Sequence, residues 1–334
     1  MAVRSRNFVG SSQVVLFWLI FFGMRVFAQQ MDGVPNVHIL PPAAVTMATT
    51  PLNSPAAPTI KKNVDLVLVP VTITDEWDRV ITGLDKENFK LYENKHQQEI
   101  QHFSSEDVPV SIGIILDTSR SMKSKMERAE EAVQEFCKAA NPQDEFFMIT
   151  FSNQPNLVGN FTSDPEELQQ SLLSVEAGGR TALLDAIYLG LHKMRQAKQA
   201  RRALLIISDG GDNRSRYTEH EVISFVKEAD VMVYAIGIYD HTFPTEEEAL
   251  GPELLSTIAD VSGGKAFSVD NPNDLPIIAA HVGEELRNQY VLGYRPNNIS
   301  RDGKWHKIRV KLQVPVGWQF LRVRARTGYY APAQ

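Results

Sequence analysis

The stretch Ile112–Met122, IGIILDTSRSM, carries the most information in this chain. Ile112 to Leu116 is an unbroken apolar run, as expected of a strand buried on both faces of a parallel sheet. Directly after it come Asp117, Ser119 and Ser121, one carboxylate and two hydroxyls at alternate positions. Hard oxygen donors so spaced suit a cation such as Mg²⁺. Asp-x-Ser-x-Ser is common in loops and at helix starts, so the motif gains meaning only from its surroundings.

Working outward, the chain beyond Met122 alternates between strand-like and helix-like segments. A helix is predicted from about Lys125 to Ala140, because Met126, Ala129, Val133, Phe136, Cys137 and Ala140 recur at steps of three and four. Phe146–Phe151 and Ala203–Ile207 read as further buried strands, with Val231–Ile238 and Lys265–Val269 after them. Helices are expected from Asp164 to about Val175, from Ala182 to about Lys198, over Glu219–Ala229, over Glu253–Val261 and over Asp274–Asn288. The acidic run Glu246–Glu248 reads as a solvated loop. This alternation implies a doubly wound, mostly parallel α/β sheet with helices on both faces, spanning residues 109–288.

The flanks are β in character. Residues 62–108 contain Val64–Thr74, rich in β-branched side chains, with Pro70 favouring an edge strand or bulge. Asp85 is placed to cap a single helical turn through Asn88; Phe89–Tyr92 and Gln97–Phe103 follow as strands. Residues 289–331 offer Tyr290–Tyr294, Trp305–Val314 and Trp318–Thr327. Neither piece is long enough to bury a core alone. The expectation is one small β-sandwich formed by the N- and C-terminal segments, with the α/β domain inserted between them. Lys307, Arg309 and Lys311, and Arg322, Arg324 and Arg326, would line one face if their strands paired as a hairpin.

Upstream, residues 1–28 read as a signal peptide: Arg4 and Arg6 precede the apolar run Val14–Phe22, and Ala28 offers a cleavage point. Left uncleaved, this segment would serve as a membrane anchor. Residues 29–61, rich in Pro, Ala and Thr, read as a disordered linker. These features imply a secreted or periplasmic, cell-envelope location. The net charge of −6 argues against a nucleic-acid partner. A single cysteine, Cys137, excludes an intramolecular disulfide and any Cys-x-x-Cys metal site; its place on the apolar stripe reads as a structural thiol.

Two further loops complete the metal reading. Thr181 lies in the Gly-rich segment Gly178-Gly179-Arg180-Thr181 just before a helix, and Asp209 follows the strand Ala203–Ile207. In a doubly wound sheet such loops meet at the C-terminal edge of the strands. Asp117, Ser119, Ser121, Thr181 and Asp209 would then offer three hydroxyls and two carboxylates to one Mg²⁺, or to Mn²⁺ in its place.

At this point the sequence resembles a known family. DTSRS, then GGRTALLDAI, then an apolar strand ending in SDG, is similar to the von Willebrand factor A (VWFA) domain with its metal-ion-dependent adhesion site, over Val110 to about Asn288. The flanks VPVTITDEWDRVITGLDKENFKLYENKHQQEI and RVRARTGYYAP extend the likeness to VWFA-related proteins of secreted acidobacterial type, with departures at Trp77-Asp78 and Asn94-Lys95. The resemblance implies an adhesion or protein-binding module whose metal is completed by an Asp or Glu of a partner protein. It also suggests that the last helix, which runs almost directly into Tyr290–Tyr294, passes movement to the sandwich.

Two other readings compete. One is polyanion binding, to polysaccharide or lipopolysaccharide, by the basic C-terminal rows. The other, ranked lower, is a hydrolase. Its acceptor carboxylate would be Asp117, but a phosphoryl-transfer site of that type wants a second Asp where Ser119 stands, and the chain has no P-loop, G-x-G-x-x-G or H-E-x-x-H.

Overall fold

In the central sheet the strands are hydrophobic enough to be buried on both faces, and the helices amphipathic enough to cover them. The structure, a computed structural model, describes residues 66–172, 175–239, 246–296, 302–313, 318 and 320–332. The leader 1–28 and the linker 29–61 lie outside the described residues.

The described residues open with strand β1 (Val67–Thr74), a 3-10 turn over Lys86–Asn88, then β2 (Phe89–Glu93), β3 (His96–Gln98) and β4 (Ile100–Ser104). The α/β domain follows: β5 (Val110–Asp117), α1 (Met126–Lys138), β6 (Glu145–Phe151), β7 (Pro155–Thr162), α2 (Pro165–Leu172), α3 (Leu183–Lys193), β8 (Arg201–Ser208), α4 (Glu219–Ala229), β9 (Met232–Ile238), α5 (Glu246–Ser262), β10 (Lys265–Val269) and α6 (Leu275–Arg287). Strands β11 (Tyr290–Tyr294), β12 (Trp305–Leu312), β13 (Arg322–Ala325) and β14 (Gly328–Tyr330) complete the described chain.

The central sheet runs β10-β9-β8-β5-β6-β7, parallel throughout except for the antiparallel edge strand β7. Every residue of β5, β6 and β9 is buried, as their continuous apolar sequences require. One face packs against α1 and α6 through Val133, Phe136, Val282 and Leu286. The other packs against α3, α4 and α5 through Leu183, Ile187, Val222 and Leu255. Cys137 lies on the first of these faces, and burial pushes its thiol up to about 12, so it stays protonated and inert.

Two four-stranded antiparallel sheets, β13-β1-β11-β4 and β14-β12-β2-β3, enclose a third core that includes Val69, Val71, Ile73, Leu91, Tyr290 and Leu292. Each sheet draws strands from before and after the α/β domain.

Several local readings are corrected by the structure. The expected strand Gln97–Phe103 breaks at Glu99: β3 stays with β2 in one sheet, while β4 joins β11 in the other. Strand β1 is not an edge strand, yet Pro70 is accommodated. β11 pairs with Val67–Val71, whereas β13 begins its pairing only at Val71, so the missing N–H meets no ladder on that side. Strand β7 was not anticipated, because PNLVGNFT contains Pro and Gly and lacks alternation; it pairs with β6 through register shifts. Helix α5 begins at Glu246, not Glu253: Gly251-Pro252 looks like a break in sequence, but Pro252 lies inside the helix.

The predicted hairpin of cations does not form. Strand β12 pairs with β2 and β14, whereas β13 pairs with β1, so the two basic rows lie in different sheets. Arg324 and Arg326 are spent on ion pairs with Glu285 and Asp230 of the α/β domain.

Candidate metal centre

The order of the central sheet reverses at β5. The chain leaves β5 for β6 on one side and later returns to β8 on the other. The C-terminal ends of β5 and β8 therefore stand side by side and the loops after them diverge, which opens a crevice at this edge.

Asp117 closes β5 and is fully buried. Its Oδ1 accepts from the Ser119 backbone N–H at 2.8 Å, and its Oδ2 accepts from Ser208 Oγ at 2.6 Å. Ser208 is the last residue of β8, and its Oγ in turn accepts from the Gly210 N–H at 3.0 Å. One hydroxyl therefore holds the Asp117 carboxylate and the turn carrying Asp209, itself only 3% exposed. Gly210 turns through φ +82°, and a Cβ there would stand 2.8 Å from Gly251 Cα, so the Asp209 turn lies flat against helix α5.

Electrostatics reinforces this geometry. Burial, then the charge of Asp209, pushes the Asp117 carboxyl up to about 7, against the opposing bonds from Ser208 and Ser119. Two carboxylates in a dry pocket repel one another, and a divalent cation between them would relieve that. Ser119 Oγ and Ser121 Oγ lie 3.1 Å apart, the first buried and the second exposed, so the hydroxyls run from the interior towards solvent.

Thr181 is brought to the same edge through its backbone. The Gly178 N–H donates to Thr118 O at 2.8 Å, and the Arg120 N–H to Gly179 O at 3.3 Å, which sew this loop to the one after β5. Thr181 N–H donates to Asn213 Oδ1 at 3.1 Å, and Asn213 N–H donates back to Thr181 O at 3.0 Å, which sews it to the loop after β8. Gly179, at φ +90°, lies against the Asn153 side chain, whose Oδ1 accepts from the Arg180 N–H.

Asp185 and Asp212 shape this frame. Asp185 accepts from the backbone N–H groups of Arg216 and Tyr217, and Asp212 from those of Leu184 and Ser215. Sequence reasoning did not single out Ser208 or Lys125. The Lys125 Nζ lies 3.5 Å from Asp209 Oδ2 and 3.4 Å from Ile238 O, with the side chain 15% exposed. It is an internal cation beside a candidate ligand. A lysine four residues after Ser121 is visible in the sequence, but its direction is not.

Among the described residues no group of three His, Cys, Asp or Glu side chains gathers as a metal cluster. The candidate donors Asp117, Ser119, Ser121, Thr181 and Asp209 are of another kind, three hydroxyls and two carboxylates, a composition that would suit a hard, oxygen-loving ion. Among the described residues no helix is long and apolar enough to cross a membrane.

Residues 112–211 match the von Willebrand factor type A domain family. A curated relative, an uncharacterized protein of Borreliella burgdorferi, is 24% identical over 184 residues. That match covers 48% of this chain and 54% of the relative, so the chain spans about half the length of the curated relative it matches. Among solved structures, an aerotolerance-related membrane protein from Bacteroides fragilis is similar at 20% identity and TM-score 0.42, covering 53% of this chain and 98% of that one. The vWF domain of the type V pili tip protein Mfa5 from Porphyromonas gingivalis is similar at 12% identity and TM-score 0.43, over 53% and 95% of the two chains. Proximal thread matrix protein 1 from the mussel byssus is similar at 15% identity and TM-score 0.47, over 58% and 50%.

Proposed function

We propose, from the premise that the α/β domain of this chain is a von Willebrand factor type A domain, that the protein is an extracytoplasmic binding module acting through a divalent cation. Asp117, Ser119, Ser121, Thr181 and Asp209 would hold Mg²⁺, or Mn²⁺ in its place. Bound there, the ion would supply an electrophilic centre for a carboxylate. An Asp or Glu of a partner protein completes the site.

The observation that carries this reading is the buried pair Asp117 and Asp209 at the sheet's reversal point. Asp117 lies under the repulsion of Asp209 and is held in place by Ser208 and Ser119. A structural pair of acids would be expected to carry its own full set of counter-charges. Among the described residues Lys125 alone makes an ion pair with them, its Nζ 3.5 Å from Asp209 Oδ2. Neutral hydroxyls in most of the remaining positions would leave the ion much of its charge, which favours capture of an acidic side chain over tight enclosure of the metal. The residues do adhesion chemistry in this reading and not catalysis. The location is proposed from the basic start and apolar run of residues 1–28.

The test is direct. Titrating Mg²⁺ into metal-free protein should give a saturable calorimetric signal and a higher Tm, both lost in Asp117→Ala and reversed by EDTA. Capture of envelope proteins on immobilised protein should then depend on Mg²⁺. An identical Tm with Mg²⁺ and with EDTA, and no heat of binding, would overturn the proposal. Polyanion binding through a single basic face is not favoured, because the two cationic rows fall in different sheets.

A further inference from the structure

At the opposite edge of the central sheet from Asp117 lies a cavity of about 410 Å³ that the proposed adhesion chemistry does not use. It is bounded by the start of β8, the end of α4 and the segment leading into β9 on one side, and by β1, β11 and β14 of the sandwich on the other. Its volume falls within the roughly 300–1,000 Å³ typical of small-molecule sites, and domain interfaces are a preferred place for them. Gln289 fixes the two domains around it, donating from Nε2 to Thr72 Oγ1 of β1 at 3.1 Å and accepting at Oε1 from Arg201 Nη2 at 2.7 Å.

The lining has two characters. Leu68, Val226, Val261 and Trp305 give it apolar walls. Its charged groups are four cations, Arg201, Arg202, Lys227 and Arg326, against two carboxylates, Glu228 and Asp230. Asp230 is already paired with Arg326. Arg201 is buried, and its hydrogen-bond partners are the neutral oxygens of Val108, Leu286 and Gln289. With Arg326 paired to Asp230, the described lining keeps Arg201, Arg202 and Lys227 against Glu228, an excess of positive charge that suits an acceptor carrying negative charge.

We propose that this interdomain cavity binds a small amphipathic monoanion, an aliphatic carboxylate whose head lies between the cations Arg202 and Lys227 and whose hydrocarbon lies against Leu68, Val226 and Val261. A carboxylate can accept hydrogen bonds from two cationic side chains at once. The flexible hydrocarbon suits the branched aliphatic walls. Lys227, whose Nζ lies 5.7 Å from the centre of the Trp305 ring, adds positive charge on the α4 side. A ligand held there would touch both domains and stabilise their junction by binding only the folded, docked form.

Decanoate below its micelle concentration is the probe, with decan-1-ol and decylammonium of equal chain length as controls, on the full chain. Decanoate should raise Tm saturably and change the fluorescence of Trp305, the latter signal lost in Trp305→Phe. Decylammonium should do neither, and decan-1-ol should bind at least tenfold more weakly. Arg202→Met and Lys227→Glu should each weaken decanoate at least tenfold while retaining the ligand-free Tm within a few degrees. Binding should persist in EDTA and in Asp117→Ala, which separates it from the metal centre. Absence of saturable decanoate binding, equal binding of decan-1-ol, or full retention in both charge variants would overturn the proposal. The comparison of the three ligands on the unmodified chain decides the matter even where a variant does not fold.

Discussion

Arg324 of β13 donates from Nη2 to Oε2 of Glu285 on α6 at 2.5 Å, and the Glu285 side chain has no solvent exposure. The other carboxylate oxygen of Glu285 faces His281 Nε2 at 3.4 Å. Burial opposes ionisation of Glu285, but His281 and Arg324 outweigh it and hold its carboxyl below the usual range. The last helix of the α/β domain is thus held by a charge supplied from the sandwich. Two residues after that helix, Gln289 and the start of β11 enter the junction.

Removing one partner of this pair leaves a buried charge unmet. Arg324→Met is expected to destabilise the protein by about 3 kcal/mol, read as a lower urea midpoint with an unchanged slope. Adding Glu285→Gln should recover much of that loss, because the uncompensated charge goes with it. A double variant as unstable as the sum of the two singles would contradict this account.

The same cluster sets a pH dependence. The Glu285 carboxylate, assisted by Glu284, holds His281 above the ordinary histidine value, against the pull of burial and of Lys265. A raised folded-state value means that the stabilisation is fully present below about pH 6.5 and is lost as pH rises through the folded value. The Tm advantage of the unmodified protein over His281→Asn should therefore be larger at pH 6 than at pH 9. His306 is also raised, its carboxylate neighbours Glu93 and Asp302 outweighing burial, but it is common to both proteins and drops out of the difference.

Lys125 competes for the position a cation would take. With its Nζ 3.5 Å from Asp209 Oδ2, it neutralises part of that carboxylate's charge and repels an incoming Mg²⁺. Lys125→Met should tighten Mg²⁺ binding several-fold by calorimetry, and by more at low salt than at high salt. Weaker binding in this variant would mean that the lysine orients Asp209 and does not compete.

Asn213 offers a test of the frame without touching a proposed ligand. Its Oδ1 accepts from the Thr181 N–H at 3.1 Å. Asn213→Ala removes that acceptor, at a cost of about 1–3 kcal/mol where the N–H stays buried. The expected result is weaker Mg²⁺ binding with modest loss of Tm. Unchanged Mg²⁺ affinity would show that the position of Thr181 does not depend on this bond.

Much of this was legible in the chain itself. Ile112–Leu116 had to be buried because nothing in it tolerates water, and the alternation of such runs with amphipathic stretches leaves few folds open. The capping turn at Asp85 and the boundaries of Glu219–Ala229 and Lys265–Val269 agree with the structure because cap chemistry and periodicity are local. The five proposed donors are legible as candidates because each lies within a few residues of a strand end or a helix start.

Strand partnership was beyond that reach. The period of two in KIRVKL and LRVRAR fixes which side chains share a face, but not which strand lies alongside, and the obvious hairpin of β12 with β13 does not form. Partners are chosen by burial of Ile308, Val323 and their neighbours against strands more than two hundred residues away in sequence. The approach of Lys125 to Asp209, the bridge made by Ser208 and the cavity between the domains are likewise tertiary. Each depends on where separate elements are placed relative to one another, a matter of packing that no single stretch encodes. For Ile112–Met122 the sequence alone determined a buried strand that ends in oxygen donors. The tertiary structure decided which carboxylate it faces, which hydroxyl holds it and which lysine lies beside that carboxylate.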